Sequence, residues 1–582
     1  MKILLTAINA KYIHSNLAVY SLKAASGKYQ DQVEIAEFTI NNQEDFVLEE
    51  IYKRKPDVLM LSCYIWNLSM IENVIREYHK LCPNVPIWLG GPEVSFEVED
   101  FLRKHPEVTG LMMGEGEETF RELCTYYESV FAEEQKSEVQ LKDILGIAYR
   151  ECVDGEEQIL VNPWRAILDM STLPFSYNKM EDFSNRIIYY ESSRGCPFSC
   201  SYCLSSVDKK LRFRDLDLVK EELQFFIDQK VPQIKFVDRT FNCQHTHAME
   251  IWKYIKEHDN GVTNFHFEVS ADLLNEEELA LMETMRLGLI QLEIGVQSTN
   301  EVTIKEIKRT MKLERLKEIV MKVKSFGNIH QHLDLIAGLP YEDYDTFRKS
   351  FDDIYALQPN QLQMGFLKVL KGSYMFDHAK EYEILYHDNP PYEVLATKWL
   401  SYEDVLRMKR IEEMLEVYYN SGQFEITMQV MGRHFESAFD MFQKMGDFYE
   451  EKKYFGMSHS RIKRCEILME FLAKEWADAP EKDTWCDCIR EALVFDLYYR
   501  ENCKSRPSWA GSLDAVKPFT RHYCKNGKMS HLEAFSYDFL GGEYTYKEEP
   551  VYVLFSYDKR DPLTNQAKVE CVNPSEDITT EK

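Results

Sequence analysis

The chain reads as an α/β protein in three parts: a doubly wound sheet, a longer run in which strands and helices alternate as a β/α barrel requires, and a mainly helical extension. Three observations carry this reading. Short apolar runs that end in glycine recur through the first 135 residues, each followed by helical periodicity. Between about 186 and 375, six strand-like runs alternate with helical segments. Beyond Tyr374 the pattern turns helical and rich in Tyr, Met and Phe. With 582 residues, 45% of them hydrophobic, the chain is long enough for several cores, and no apolar run reaches membrane-spanning length.

Residues 1–135 open with Met1-Lys-Ile-Leu-Leu-Thr-Ala, an apolar strand without a signal-peptide cleavage pattern. Further strands are expected at Val58-Leu-Met-Leu-Ser-Cys, Pro86-Ile-Trp-Leu-Gly-Gly and Gly110-Leu-Met-Met-Gly. Gly90, Gly91, Gly114 and Gly116 stand where strands end and let a bulky ligand approach the backbone. No G-x-G-x-x-G follows the first strand, so a dinucleotide fingerprint is missing. Residues 136–185 are polar, with a hairpin signal at Asp154-Gly155 and breaks at Pro163 and Pro174, and read as a structured linker. Residues 186–375 carry a strand ending at Ile187-Ile-Tyr-Tyr-Glu, then Gln233-Ile-Lys-Phe-Val-Asp, Phe265-His-Phe-Glu-Val-Ser, Leu289-Ile-Gln-Leu-Glu-Ile-Gly-Val, His332-Leu-Asp-Leu-Ile-Ala-Gly-Leu-Pro and Leu362-Gln-Met-Gly-Phe-Leu-Lys-Val-Leu. Helical segments at 218–229, 275–286 and 313–325 separate them. Residues 376–582 are helical at 397–419 and 437–454, with strand-like pieces such as Val551-Tyr-Val-Leu-Phe-Ser-Tyr and a polar tail that reads as disordered. The aromatic stripe of this part is read as core.

Between the first two strands of the barrel run lies Glu191-Ser-Ser-Arg-Gly-Cys-Pro-Phe-Ser-Cys-Ser-Tyr-Cys. Cys196, Cys200 and Cys203 offer three thiolates in C-x3-C-x2-C spacing, which suits a four-iron cluster whose fourth iron lacks a nearby protein ligand. Such an iron is an open coordination site. A structural zinc needs four ligands, generally as two separated pairs, and no paired C-x2-C or H-x3-H follows; the next cysteine, Cys243, is distant in sequence. The plain alternative is three half-buried cysteines that happen to cluster. Because the loop follows an apolar strand, the thiolates sit at the strand's C-terminal end, where α/β folds collect ligands.

At these residues the chain resembles the radical S-adenosylmethionine (SAM) superfamily, whose C-x3-C-x-aromatic-C loop holds a 4Fe-4S cluster, with Tyr202 as the matching aromatic. The resemblance implies a partial (β/α)6 barrel and one-electron cleavage of SAM to a 5′-deoxyadenosyl radical. It is strongest toward the branch that includes oxygen-independent coproporphyrinogen oxidase. By it, Glu268 faces the methionyl end of SAM, Gln297 and Asp334 contact the ribose, and Arg309 faces the carboxylate. The family's glycine-rich segment after the second strand is replaced by Val237-Asp-Arg-Thr-Phe-Asn, where Asp238 or backbone carbonyls are open candidates for the SAM amino group. The first unit, with Leu-Ser-Cys, Leu-Gly-Gly-Pro-Glu and Gly-Glu-Gly-Glu after successive strands, resembles the Rossmann-like cobalamin-binding domain that precedes many such barrels. Ser62, Gly91 and Gly114 would then border the cobalamin nucleotide tail. Asp-x-His-x-x-Gly is absent; His14 lies in the corresponding loop without the motif, which leaves the lower cobalt ligand undetermined. An empty docking domain that kept the fold is the alternative. The last part is similar to the DUF4080-like extension of a subset of cobalamin-dependent radical SAM proteins.

What these resemblances imply is methylation of an unactivated carbon of a small molecule by SAM, cluster and cobalamin, with a flavodoxin- or ferredoxin-like electron donor. Cobalamin-dependent rearrangement or cyclisation, plain radical SAM oxidation, and a cobalamin- or redox-responsive sensor are the other readings. No second cysteine triad marks an auxiliary cluster, which disfavours a methylthiotransferase. The 14 cysteines are otherwise scattered apart from Cys486-x-Cys488, read as helical surface, and imply reduced thiols in an anaerobic cytoplasm. A net charge of −28, from 97 acidic and 69 basic residues, disfavours nucleic acid as a partner. Lys209-Lys-Leu-Arg-Phe-Arg is read either as a solvated helix start or as a patch that neutralises a substrate carboxylate or phosphate. No residue is assigned as catalytic; His522, His531 and Glu533 are read as candidate acids or bases or as ordinary polar residues.

Overall fold

The computed structural model describes residues 1–11, 14–132, 139–153, 155–177, 186–524, 529–561 and 564–574. Asp154 and the polar tail beyond 574 lie outside them. Strands β1 (Ile3–Asn9), β2 (Val33–Thr39), β3 (Val58–Ser62), β4 (Ile87–Gly90), β5 (Gly110–Met112), β6 (Ile147–Val153) and β7 (Glu156–Val161) make one sheet in the order β2-β1-β3-β4-β5-β6-β7. The first five are parallel; β6 and β7 run antiparallel at its edge. β1 and β3 are buried throughout, as strands covered on both faces by helices must be. The segment read as a linker is therefore partly sheet. Its hairpin covers the free edge of β5, and the acidic start of β7, Glu156 and Glu157, leaves an edge that resists further pairing.

The second sheet consists of β8 (Ile187–Tyr190), β11 (Gln233–Phe236), β12 (Asn264–Val269), β13 (Ile290–Gln297), β14 (His330–Ala337) and β15 (Gln361–Phe366), all parallel and neighbours in chain order. Between β8 and β11 lies a two-stranded clip, β9 (Ser193–Arg194) with β10 (Arg212–Phe213). Helices between the strands, such as Leu216–Asp228 and Leu313–Phe326, cover the outer face. β12, β13 and β14 alternate strictly, but in the reverse of a packed core: apolar residues such as Phe267, Leu292 and Leu333 are buried under the helices, while His266, Glu293 and His332 on the inner face are half-buried. A closed barrel of this family of shapes fills its interior with branched apolar layers. Here the interior is a polar lumen.

An open six-stranded sheet has two edges, and each is occupied. On the β8 side, Ser15 N donates to Ile187 O (3.1 Å) and Ser15 Oγ accepts from Tyr189 N (3.0 Å), so the loop after β1 docks on the second sheet. On the β15 side, Asn420 of the extension accepts from Leu362 N (2.9 Å) and donates to Leu362 O (2.8 Å), as a strand backbone would. The helices Tyr402–Met414 and Ala438–Lys452 bury Phe439 and Phe442 against Phe351 of the barrel helix Tyr344–Tyr355, within the same apolar core. The extension is thus the outer wall of the barrel, and the aromatic stripe is core as the sequence predicts.

Arg214 and Glu222 form a buried pair beside the clip: Nη2 to Oε1 2.5 Å and Nε to Oε2 2.9 Å, with Tyr190 OH donating to Oε2 (2.7 Å). Each side chain is 8% exposed. Glu222→Ala strands the guanidinium in the interior, so unfolding in urea should show a loss of about 3–5 kcal/mol. Glu222→Gln, which keeps one acceptor, should lose less; equal stability of both variants with the parent contradicts this.

Candidate active site at the mouth of the barrel

The loop that follows β9 is shaped by Gly195, at φ +87°, where an added Cβ would lie 2.6 Å from Lys210 O, a contact only glycine avoids. From there Cys196 N donates to Asp208 O (3.0 Å), Ser201 N to Ile307 O (2.9 Å) and Met375 N to Ser201 O (2.9 Å), so three separate segments hold the loop. Cys196 and Cys200 are buried and Cys203 half-buried. Burial pushes the Cys196 thiol up, and the nearby Cys203 and Cys200 add to the shift. A metal cation bound here would favour the thiolate of Cys196. Cys243, remote in sequence, belongs to the loop Thr240–Cys243 beside them: Thr240 Oγ1 is 3.9 Å from Cys196 Sγ, and burial with the added effect of Cys196 pushes the Cys243 thiol up to about 11.

Asp238 does not point into this space. It is fully buried and accepts from Ser192 N (3.0 Å), Ser192 Oγ (2.7 Å) and Ser193 Oγ (2.5 Å). With its oxygens spent on the residues ahead of the cysteines, it anchors the loop and is corrected from candidate ligand to positioning residue.

Arg309 spans the mouth. Its Nη1 donates to Tyr202 OH (3.2 Å) and lies 3.8 Å from Cys200 Sγ, while Nη2 donates to Gly295 O. Its Nε is buried with no acceptor. Burial raises the Tyr202 phenol well above its ordinary value despite the nearby Arg309 charge, so Tyr202 stays neutral. Gln297, at the end of β13, has φ +74° at a register shift, a conformation a non-glycine residue adopts only under constraint, and its buried Oε1 has no donor. Glu268 makes no hydrogen bond or ion pair among the described residues; burial pushes it up to about 7, opposed by the charge of Arg239. Asp334 is held by His332, Nε2 to Oδ1 3.0 Å.

Sequence reasoning missed the lumen below these residues. Lys235 Nζ sits 2.8 Å and His266 Nε2 3.0 Å from Glu293 Oε2, and Gln291 Nε2 is 2.8 Å from His266 Nδ1. Burial opposes ionisation of Glu293, yet His266 and Lys235 outweigh it and hold the carboxyl far below its usual range. Glu293, His332 and Asp334 bring ligand-type atoms within 4.8 Å of one another, but the Lys235 ammonium already occupies Glu293. The signal was available: in Phe-His-Phe-Glu-Val, Leu-Glu-Ile and His-Leu-Asp-Leu, charge alternates with apolar residues at the strand period.

In the first sheet, Ser62 lies at the end of β3, 3.5 Å from Asn16 Nδ2. Gly91 (φ +115°) is required locally, since a Cβ would lie 2.4 Å from Cys63 O; Gly114 packs against the ring of Trp164. His14 turns to Tyr189, Nδ1 to OH 3.2 Å, across the domain boundary. Beside Ser62, Tyr64 and Trp66 stack with centroids 4.3 Å apart, and Trp66 is 43% exposed. The acids of Gly-Glu-Gly-Glu hold the cysteine loop: Arg194 pairs with Glu117 (2.5 Å), Glu115 (3.2 Å) and Glu191 (2.8 Å), and Arg212 with Glu115 (2.7 Å). Neither reading of the basic segment therefore holds for its arginines, since Arg212 and Arg214 are spent on buried ion pairs. His531 and Glu533 belong to the C-terminal sheet, where Glu533 is held by Arg506 (2.7 Å) and His531 (2.9 Å) and His531 stacks on Tyr498; they read as structural. Cys488 is buried in the helix Lys482–Arg500 rather than on its surface, and Cys486 is half-buried.

Family models match three stretches in order: B12 binding domain at 3–124, Radical SAM superfamily at 190–354, and a protein of unknown function, DUF4080, at 380–555. The chain carries a B12 binding domain and, behind it, a radical SAM domain. Among curated relatives, 2-(S-pantetheinyl)-carbapenam-3-carboxylate methyltransferase of Streptantibioticus cattleyicolor is 27% identical over 50% of this chain and 44% of its own. The chain thus spans less than half the length of that relative. Among solved structures, TsrM from Kitasatospora setae, a radical S-adenosylmethionine methyltransferase with cobalamin and a 4Fe-4S cluster bound, has TM-score 0.52 at 15% identity, covering 67% of this chain and 79% of its own. OxsB, a cobalamin-dependent S-adenosylmethionine radical enzyme, has TM-score 0.53 at 15% identity over 90% of this chain and 75% of its own. These two likenesses concern the fold.

Glu268 provides a stability test. Its carboxyl loses the proton near the ordinary 4.5 in the unfolded chain and near 7 in the folded one, so the folded state loses stability as pH rises between these values and stays lower above them. Glu268→Gln removes that cost. At pH 8 the variant should be more stable by roughly 1–3 kcal/mol, and the difference should fade on acidification through the carboxylate range. A pH-independent difference in urea unfolding contradicts this.

Proposed function

We propose that the chain is a radical SAM enzyme that uses a 4Fe-4S cluster, SAM and cobalamin to methylate an unactivated carbon of a small molecule. The observation that carries this is the loop at the strand ends: three thiols held by three segments, with a buried guanidinium on one of them and an orphaned donor and acceptor beside it. Cys196, Cys200 and Cys203 are assigned as the cluster ligands. Bound there, the cluster supplies the electron that cleaves SAM to a 5′-deoxyadenosyl radical, and cobalamin supplies the methyl group.

The residues present fit SAM. Arg309 Nε lacks an acceptor and suits a carboxylate, and Gln297 Oε1 lacks a donor and suits a ribose hydroxyl. Glu268 is an unpaired carboxyl at the lumen end nearest the positive Arg239 and suits an ammonium once ionised. Asp334 has Oδ1 beside His332 and its second oxygen suits a ribose hydroxyl. Tyr202 orients Arg309 and stays neutral. For cobalamin, the Tyr64–Trp66 stack at the end of β3 offers a flat apolar face, with Ser62, Gly91 and Gly114 on the nucleotide side; His14, engaged by Tyr189, is not presented as a cobalt ligand. The pairing of Arg194 and Arg212 with Glu115 and Glu117 joins the glycine loop of the first domain to the cysteine loop, which supports a reading in which the two cofactors meet at this boundary. No helix among the described residues is long and apolar enough to cross a membrane. An oxygen-poor cytoplasm and a flavodoxin- or ferredoxin-like donor complete the reading, since the cluster must be kept reduced.

Protein reconstituted without oxygen should bind about four irons per chain, retain cobalamin, and form 5′-deoxyadenosine from SAM and a reductant. Cys200→Ala should lose iron and 5′-deoxyadenosine while keeping cobalamin. Iron retained in the variant, or no SAM cleavage by the parent, contradicts the reading. Label from methyl-labelled SAM recovered on bound cobalamin separates methyl transfer from rearrangement or oxidation.

A further inference from the structure

Trp164 stands out in the segment that returns from β7 to the barrel. Its neighbours are held on both sides: Gly146 N donates to Pro163 O (2.8 Å), the Arg165 side chain donates from Nε to Thr119 Oγ1 (3.1 Å), and Leu168 N donates to Glu115 Oε2 (2.7 Å). Yet the indole is 53% exposed. An immobilised backbone that presents a large aromatic face to water forgoes the burial a tryptophan ordinarily contributes. The ring packs on Gly114, whose missing Cβ would sit 3.1 Å from Cζ3 and 3.2 Å from Cε3. Phe96 lies beside it, with centroids 6.2 Å apart at 43°, and is itself seated on Gly372, where a Cβ would lie 2.6 Å from Cε1. Ser95, next to Phe96, joins the two glycine loops: its Oγ donates to Gly91 O (2.8 Å) and accepts from Gly114 N (3.4 Å). Trp164 and Phe96 therefore flank the C-terminal ends of β4 and β5, beside the crevice assigned above to a nucleotide tail.

We propose that Trp164, with Phe96, is the stacking platform for the heteroaromatic base of the corrinoid's nucleotide tail, and so selects complete corrinoids over those without a lower base. The inference rests on the cobalamin reading above. A planar base offers the apolar face that this indole lacks, and stacking does not demand hydrogen-bond partners, of which this patch has few.

The test compares hydroxocobalamin with cobinamide, which has the corrin ring but no nucleotide tail, in equilibrium titrations of the full chain followed by corrin absorbance. Trp164→Ala should weaken hydroxocobalamin binding about tenfold or more, the usual effect of removing an aromatic stacking partner, and leave cobinamide affinity unchanged. Trp164→Phe should restore most of the hydroxocobalamin affinity. Unchanged hydroxocobalamin binding in Trp164→Ala, or an equal loss for both corrinoids, overturns the platform while leaving the cobalamin reading intact. A parent protein that binds neither corrinoid overturns both.

Discussion

One guanidinium ties the two sheets together. Arg194 precedes Gly195 and Cys196, reaches back to Glu191 on its own strand end, and engages Glu115 and Glu117 from the first domain. Its side chain is 15% exposed and that of Glu117 6%, so these are shielded contacts, and a change to either partner leaves an uncompensated charge in the interface. With Arg212 also on Glu115, and with Asp238 holding Ser192 and Ser193, the loop that carries the three cysteines has no independent freedom. The position of the thiols relative to the first sheet is set by these charge pairs together with the hydrogen bonds of Ser15 to β8 and the packing of Leu17 and Tyr20 on the barrel core.

The barrel itself could be read from sequence because its strands carry a local signal. Phe265-His-Phe-Glu-Val and His332-Leu-Asp-Leu state both the strand period and the side that is buried, and the spacing of Cys196, Cys200 and Cys203 points to a four-iron cluster. What was not legible depends on contacts between distant segments. Glu115 and Glu117 look like ordinary acids after a strand; only the approach of Arg194, some eighty residues on, gives them their role. Asp238 resembles a strand-end ligand until its three hydrogen bonds are seen. Residues 147–161 read as linker because a hairpin on its own does not declare which sheet edge it joins. Asn420, which completes the edge of β15, carries no motif at all.

The polar lumen has a consequence for what can occupy it. Lys235 Nζ lies 2.8 Å and His266 Nε2 3.0 Å from Glu293, and His332 lies 3.0 Å from Asp334, so an apolar group entering among them would interrupt these contacts without replacing them. Occupants of this space must bring polar groups of their own. Glu268, Gln297 and Arg309 lie at the upper end with unmet bonding capacity, and below them His266 Nε2, His332 Nε2 and Asp334 Oδ1 are buried without a formed hydrogen bond, so polar atoms ready to receive a ligand continue from the strand ends into the lumen.

The central claim is that Cys196, Cys200 and Cys203 hold a cluster with an iron left free for SAM. Electron paramagnetic resonance of the reduced protein tests it most directly. The g values of the cluster signal should change when SAM is added, and the change should be blunted in Arg309→Ala, whose missing guanidinium no longer meets the carboxylate. A cluster signal that is indifferent to saturating SAM contradicts an open iron and with it the role assigned to the three-cysteine loop.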